Sequence, residues 1–285
     1  MQVPAAFQYR KATSVEHALT LLAEYGPESR VLAGGHSLLP MMKLRLAHPE
    51  ALVDINDLTE LAGVRVERDS FVIGAMARHA DLLASADAGR HFAILHDAER
   101  VIADPIVRNR GTVGGSLCQA DPSEDLAAVF AALRASLVIH GTDGARTVAA
   151  RDFFVGPYET VVAPGELLAE IRVPLRPSVS AYVKVDRRAG DWAVGAAGAV
   201  LTLSKGLVTG AGIGLTALGS PRFVAAEAED FLTGGPPTEE RLVEAGRIAA
   251  RHCRPAADQR GPVDYKRHLA GELVTRALRH AVGRA

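Results

Sequence analysis

The sequence predicts an α+β chain of two or three compact units, on three observations. Short strand-length apolar runs alternate with helix-length segments up to about residue 57, around a Gly34-Gly35 turn. From residue 64 onward, apolar runs are joined by short turns of hairpin type, which favours antiparallel pairing. The last third passes from strand-like runs separated by tight turns to helical segments. A chain of 285 residues, 48% of them hydrophobic, can bury the cores such units need.

Taken in order, Ser14 caps a predicted helix over 15–25, with Val15, Ala18, Leu19 and Leu22 on one face and Gly26 stopping it. Residues 30–33 and 51–55 read as strands with a short helix over 38–46 between them, a spacing that favours parallel pairing. Residues 64–67 and 71–73, joined by Arg68-Asp69-Ser70, form a hairpin pattern. Helices are expected over 81–85 and 91–102, and another from near Pro122. Residues 137–140 and 146–148 flank a Gly141-Thr142-Asp143-Gly144 turn, and 167–173 is a further strand. Two prolines in Pro174-Leu175-Arg176-Pro177 mark the expected domain boundary. Beyond it, strands are expected over 181–185, 192–203 and 207–217, then helices over 225–232, 238–253 and 265–282.

Composition narrows the function. Lys plus Arg number 32 against 33 Asp plus Glu, with no basic block, so nucleic acid is not an expected partner. Residues 1–14 lack the apolar run of a signal peptide, and no stretch reaches the ~18 apolar residues of a membrane span. Arg134 interrupts the best candidate, 126–139. A cytoplasmic protein is expected, with peripheral association at the inner face of the cytoplasmic membrane still open. Cys118 and Cys253 form neither a disulfide framework nor a CxxC metal site, and two cysteines cannot ligate an iron–sulfur cluster. Any redox carrier held by this chain must be organic.

Two glycine-rich segments carry the chemistry. In Val31-Leu32-Ala33-Gly34-Gly35-His36-Ser37-Leu38 a strand runs through two glycines into a helix. Bare backbone there can turn successive N–H groups toward one anion. Alone, such a Gly-Gly-x-Ser turn is structural more often than not, with Ser37 as a cap. His36 has no second histidine at metal-ligand spacing. The second segment, Thr112-Val113-Gly114-Gly115-Ser116, is again rich in glycine and hydroxyls. Just after it, Asp121 as N-cap, Pro122 and Glu124 have capping-box spacing, which makes both acids caps rather than catalysts. Asp125 remains as an acceptor for a sugar hydroxyl. Two such segments suit the two ends of a dinucleotide pyrophosphate better than one. Gly212-Ile213-Gly214-Leu215-Thr216-Ala217 also fits G-x-G-x-x-A, but it lies in a strand-like run and Ser220-Pro221 follows where a helix is needed. It reads as a glycine-rich strand packed closely on a neighbour.

With these residues in view, the chain resembles the FAD-binding medium subunits of aerobic carbon monoxide dehydrogenase, in the xanthine dehydrogenase family of molybdenum hydroxylases. The matching motifs are AGGHS at 33–37, TVGGS at 112–116 and ADPSEDL at 120–126. Further support comes from Phe7-Gln8-Tyr9, DFFVGPY at 152–158, and Lys184 followed by RRAGDWA at 187–193. The resemblance implies a PCMH-type (vanillyl-alcohol-oxidase-like) FAD-binding domain over 1–176, with subdomains of about 1–57 and 58–176. A C-terminal domain over 177–285 would hold a small antiparallel sheet and a helical bundle. Carried over by motif, Val31, Leu32, Ala33, Gly34, Gly35, His36, Ser37 and Leu38 would hold the pyrophosphate with Thr112, Val113, Gly114, Gly115 and Ser116. Asp125 would take a sugar-type hydroxyl, Ile102 and Leu168 would pack on the cofactor, and Lys184 would approach the flavin. Many relatives carry Asn where Ser116 stands, so a contact needing a side-chain amide would be lost there.

The resemblance also implies partners: a large molybdenum-cofactor subunit and a small subunit with two [2Fe–2S] clusters, assembled as a dimer of heterotrimers. Electrons would reach FAD from those clusters and leave to a quinone, NAD or another carrier. Carbon monoxide is the favoured substrate of the complex; purines, nicotinate, aldehydes and acyl-CoA thioesters are the alternatives. Two rivals are a self-sufficient flavoenzyme of the same wider fold and a scaffold subunit that has lost FAD. The first needs a substrate acid or base, for which only Tyr158 offers itself, and that residue reads better as a packed turn. The second conflicts with intact glycines in both segments. Arg187-Arg188 reads as a solvated edge, Trp192 as either core or flavin neighbour, and Cys118 as a small buried filler.

Overall fold

A computed structural model describes residues 3–219 and 223–285. The expected Ser220-Pro221 break lies outside the described residues.

The first unit is β1 (Gln8–Lys11), α1 (Val15–Tyr25), β2 (Ser29–Leu32), α2 (Leu38–Lys43) and β3 (Ala51–Asp54). Its sheet has the order β1-β3-β2, parallel throughout as the spacing predicts. The Ser14 hydroxyl accepts the His17 N–H at 3.1 Å, and Gly26 ends α1 at φ 62°, a conformation glycine adopts at little cost. The expected face of α1 packs on Val53 and Ile55. Helix α2 stops at Lys43, short of the expected Leu46, because Arg45 turns to φ 61° and the Met41 carbonyl accepts the N–H of Leu46.

The second unit is β4 (Val64–Val66), β5 (Ser70–Gly74), α3 (His79–Ala84), α4 (Ala86–His91), α5 (Ala93–Val101), α6 (Pro105–Arg108), α7 (Val113–Gln119) and α8 (Asp125–Ala132). There follow β6 (Ser136–Gly141), β7 (Gly144–Ala149), α9 (Ala150–Phe153), β8 (Phe154–Gly156), β9 (Glu159–Thr160) and β10 (Leu167–Pro174). Both expected hairpins form within the antiparallel sheet β4-β5-β10-β6-β7. Three expectations need correction. The helix expected over 91–102 begins at Ala93 as α5, and a separate short helix, α4, precedes it, with the buried Phe92 between them. The second glycine segment is the first turn of α7, with Thr112 as its N-cap. Asp121 caps nothing helical: α8 starts at Asp125, and its N-cap is Glu124, whose carboxylate accepts the N–H groups of Leu126 (3.0 Å) and Ala127 (2.6 Å).

The C-terminal unit contains β11 (Val179–Val185), β12 (Gly195–Ser204), β13 (Leu207–Thr216), α10 (Ala226–Leu232), α11 (Glu239–His252) and α12 (Val263–Val282). β12 starts at Gly195, later than the expected Trp192, which lies in the preceding loop. Strand β13 bears out the close-packing reading of its glycines. A Cβ at Gly212 or Gly214 would fall inside the van der Waals radius of the carbonyl oxygen of Ala132 or Ala128 on α8. Two strand residues rise about 6.7 Å and four helix residues about 6 Å, so the glycines keep step with successive turns of α8. Replacing Gly214 with alanine is expected to cost about 1–3 kcal/mol, as other overpacked contacts do. Urea unfolding of the variant against wild type measures it. Nearby, Glu229 of α10 accepts Arg151 and Arg134 across the same boundary, at 2.6 Å and 3.1 Å.

Candidate functional site

All three units wall one cleft of about 1180 Å³. Every residue expected at the cofactor lines it except Leu32, which lies in β2, and Val113, which is fully buried at the start of α7. The expected residues thus converge on one cleft, and packing decides which members of each motif face it.

The first motif has donors to spare. Among the described residues, the N–H groups of Gly34, Gly35, His36, Ser37 and Leu38 donate to no acceptor in the chain, and the Ser37 hydroxyl caps no amide. A consecutive run of undonated amides leading into a helix N-terminus has the geometry that can receive an anion. Gly35 stands at φ +81°, which turns the chain there. The second motif differs, because its amides are already engaged. Val113 donates to Ala77 O (2.9 Å), Gly114 to Ala75 O (2.8 Å), Gly115 to the Thr112 hydroxyl (3.0 Å) and Ser116 to Thr112 O (3.0 Å). Its glycines serve proximity: a Cβ at Gly114 would lie 2.6 Å from that of Ala75. One at Gly34 would strike the Arg110 carbonyl, so the first motif touches the bare backbone just ahead of the second.

A hydrogen-bonded latch holds the two segments together. Asn56 Nδ2 donates to the carbonyl of Ala33 at 2.7 Å, and its Oδ1 accepts Arg78 Nη2 at 2.9 Å. The other arm of Arg78 donates to the Arg110 carbonyl that Gly34 faces. No motif or periodicity announces Asn56 or Arg78, because each acts across units.

The cleft floor is charged and buried. Asp125 accepts Lys184 Nζ at 2.8 Å and the Tyr182 hydroxyl at 2.6 Å, and Lys184 also donates to Val101 O at 3.1 Å. Burial raises the Asp125 carboxyl, while Lys184 pulls the other way. Beside it, Glu124 accepts the Ser116 hydroxyl at 2.7 Å, and burial pushes its carboxyl up to about 7. A folded value above the unfolded one near 4.3 means the folded chain holds this proton more tightly. Its contribution is full below the unfolded value and is lost as pH rises toward 7, on the order of 3 kcal/mol in all. Urea unfolding across that window should show the decline, and Glu124→Gln should flatten it.

The remaining candidates also have places. Tyr158 is exposed, stands at φ +61° and donates to Asp121 at 3.1 Å; it lines the cleft as a turn residue. Trp192 is half-exposed and borders the cleft, so the core alternative falls. Arg187 pairs with Asp191 at 3.5 Å on the surface. Cys118 is no buried filler: it is exposed and lines the cleft.

Comparison with known proteins agrees with this geometry. Residues 5–176 match the model described as the FAD binding domain in molybdopterin dehydrogenase, and residues 180–281 match the CO dehydrogenase flavoprotein C-terminal domain. The chain belongs to this family. FAD is its cofactor, and it is a flavoprotein subunit of an oxidoreductase complex. The carbon monoxide dehydrogenase medium chain of Afipia carboxidovorans is 41% identical over 99% of both chains. The glyceraldehyde dehydrogenase medium chain of Sulfolobus acidocaldarius is 34% identical over 97% of this chain and 98% of its own. A crystal structure of Cu,Mo-CO dehydrogenase in its cyanide-inactivated form aligns with a TM-score of 0.95 at 41% identity, covering 99% of this chain and 100% of that one. The expected FAD-binding fold with a C-terminal sheet and helices is thus the fold found. Among the described residues, no helix is long and apolar enough to cross a membrane.

Proposed function

We propose that this chain is the electron-transferring FAD subunit of a carbon monoxide dehydrogenase complex. It would take electrons from the [2Fe–2S] clusters of a small subunit and deliver them to an external acceptor. The observation that carries the reading is the row of undonated amides from Gly34 to Leu38 on the wall of the shared cleft. These N–H groups and the Ser37 hydroxyl bind the pyrophosphate, and the Thr112–Ser116 turn closes against it. Ile102 and Leu168 exclude water, while Asp125 and Lys184 set the charge beneath the cofactor. Bound FAD supplies a carrier that accepts electrons singly and releases them in pairs. Substrate hydroxylation belongs to the molybdenum subunit, in a dimer of heterotrimers in the cytoplasm, free or at the membrane face. The domain division at about residue 176 accompanies this reading, with β10 ending at Pro174 and β11 beginning at Val179.

The test has two stages. The purified chain incubated with FAD should turn yellow and hold one flavin per chain through gel filtration; a colourless chain would favour the scaffold rival. Co-expression with a molybdenum subunit and an iron–sulfur subunit should then give a complex that reduces this flavin on exposure to CO. Flavin reduction only by an aldehyde, purine or nicotinate would move the assignment to a sister complex. Turnover by the chain alone would make it a solitary flavoenzyme.

A further inference from the structure

His79 is the first residue of α3 and is 4% exposed, yet it lines the cleft. Its Nδ1 lies 3.1 Å and 3.0 Å from the two carboxylate oxygens of Glu99, itself fully buried on α5. The imidazole is thus held from behind, and Nε2 is the atom left to face outward. A Cβ at Gly111 would press on the Cδ2–Nε2 edge, at 3.0 Å and 3.5 Å. Glycine at that position leaves the edge uncovered. None of the hydrogen bonds among the described residues uses Nε2, and Nε2 is not a buried unsatisfied atom, so it reaches open space.

The protonation of the pair follows from its surroundings. Burial raises the Glu99 carboxyl; burial opposes the charged imidazole, but Glu99 outweighs it and the His79 value rises too. Glu124 and Asp125 push His79 the same way, and Arg108 acts weakly on Glu99 against the rise. The rise at His79 favours the imidazolium, whose Nδ1–H points at the Glu99 carboxylate and whose Nε2 carries the second proton. Nε2 is thus a donor.

We propose that His79, oriented by Glu99, donates a hydrogen bond from Nε2 to an acceptor of the bound cofactor. The inference rests on FAD occupying this cleft, and it adds a cofactor contact outside both glycine motifs. Acceptors of two kinds are available on FAD, the diphosphate oxygens and the heteroatoms of the flavin ring, and both need the same donor.

The test uses the full chain with nitrogen-15 in its histidine rings. Adding FAD should shift the His79 Nε2–H resonance and slow its exchange with water. ADP reproducing the shift would assign the diphosphate, and riboflavin reproducing it would assign the ring. His79→Gln, which keeps a donor, should retain FAD better than His79→Leu, in which retention should weaken by about tenfold or more. Glu99→Gln should leave FAD bound but speed exchange at Nε2, since a merely structural pair would not connect the two. A chain that binds FAD with the His79 resonance unmoved would overturn the contact and leave the proposed function standing. A chain that binds no FAD would instead overturn the function.

Discussion

Gly34→Val and Gly114→Val are each expected to abolish FAD retention while the C-terminal unit stays folded. A side chain at 34 meets the Arg110 carbonyl and pushes the first motif off the second unit, while one at 114 meets Ala75 and shifts the second motif from its seat beside β5. Separation withdraws the Gly34–Leu38 amides from a common centre. Losing two charge-assisted hydrogen bonds, at about 1.5–3 kcal/mol each, weakens binding by roughly a hundredfold or more. Flavin absorbance after gel filtration and a titration of FAD fluorescence measure the loss. Far-ultraviolet circular dichroism should keep the signal of α10, α11 and α12, which pack in a core of their own against the β11-β12-β13 sheet. Normal flavin retention in both variants would remove the two motifs from the site.

Lys184→Met should produce the largest loss of stability of any single change in the cleft. Its ammonium is buried against Asp125, with side chains 2% and 5% exposed. Removing one partner of a buried pair leaves an uncompensated charge, at about 3–5 kcal/mol. For a chain of this size the melting temperature should fall by on the order of 10 °C. The sign of the pH dependence is informative. Burial already raises Asp125, and losing Lys184 raises it further, so the variant's deficit should shrink as acid protonates that carboxyl. Calorimetry at neutral and acid pH checks both statements. An unchanged melting temperature would mean that the pair contributes nothing net, as some buried pairs do. The same variant leaves the pyrophosphate cradle intact, so FAD should still bind.

The two results separate kinds of information. Ser14 and Gly26 flank a helix whose bounds are legible, because cap and stop act through neighbouring residues. The parallel β1-β3-β2 sheet, both hairpins and the strand reading of 212–217 are likewise local patterns. Glu124 and Asp121 show the limit. Both fit a capping box, yet the helix starts three residues later because the chain between them turns on Asp121, whose side chain accepts the Ser123 N–H at 2.9 Å. A one-dimensional pattern cannot tell a capped helix from a capped turn.

Sequence by itself determined the family, the cofactor and the two motifs that border the cleft, because motif order and local turn chemistry are written along the chain. Only the tertiary structure decided how labour is divided between those motifs. The amides of the first are free and those of the second are engaged, Val113 and Gly114 by the carbonyls of Ala77 and Ala75 just past β5, and Gly115 and Ser116 by Thr112. It also supplied the Asn56–Arg78 bond between the first and second units, and the His79–Glu99 pair between two helices of the second. The physical reason is range: capping and turn preferences act over a few residues, whereas hydrogen-bond satisfaction and close backbone approach are settled when the units pack.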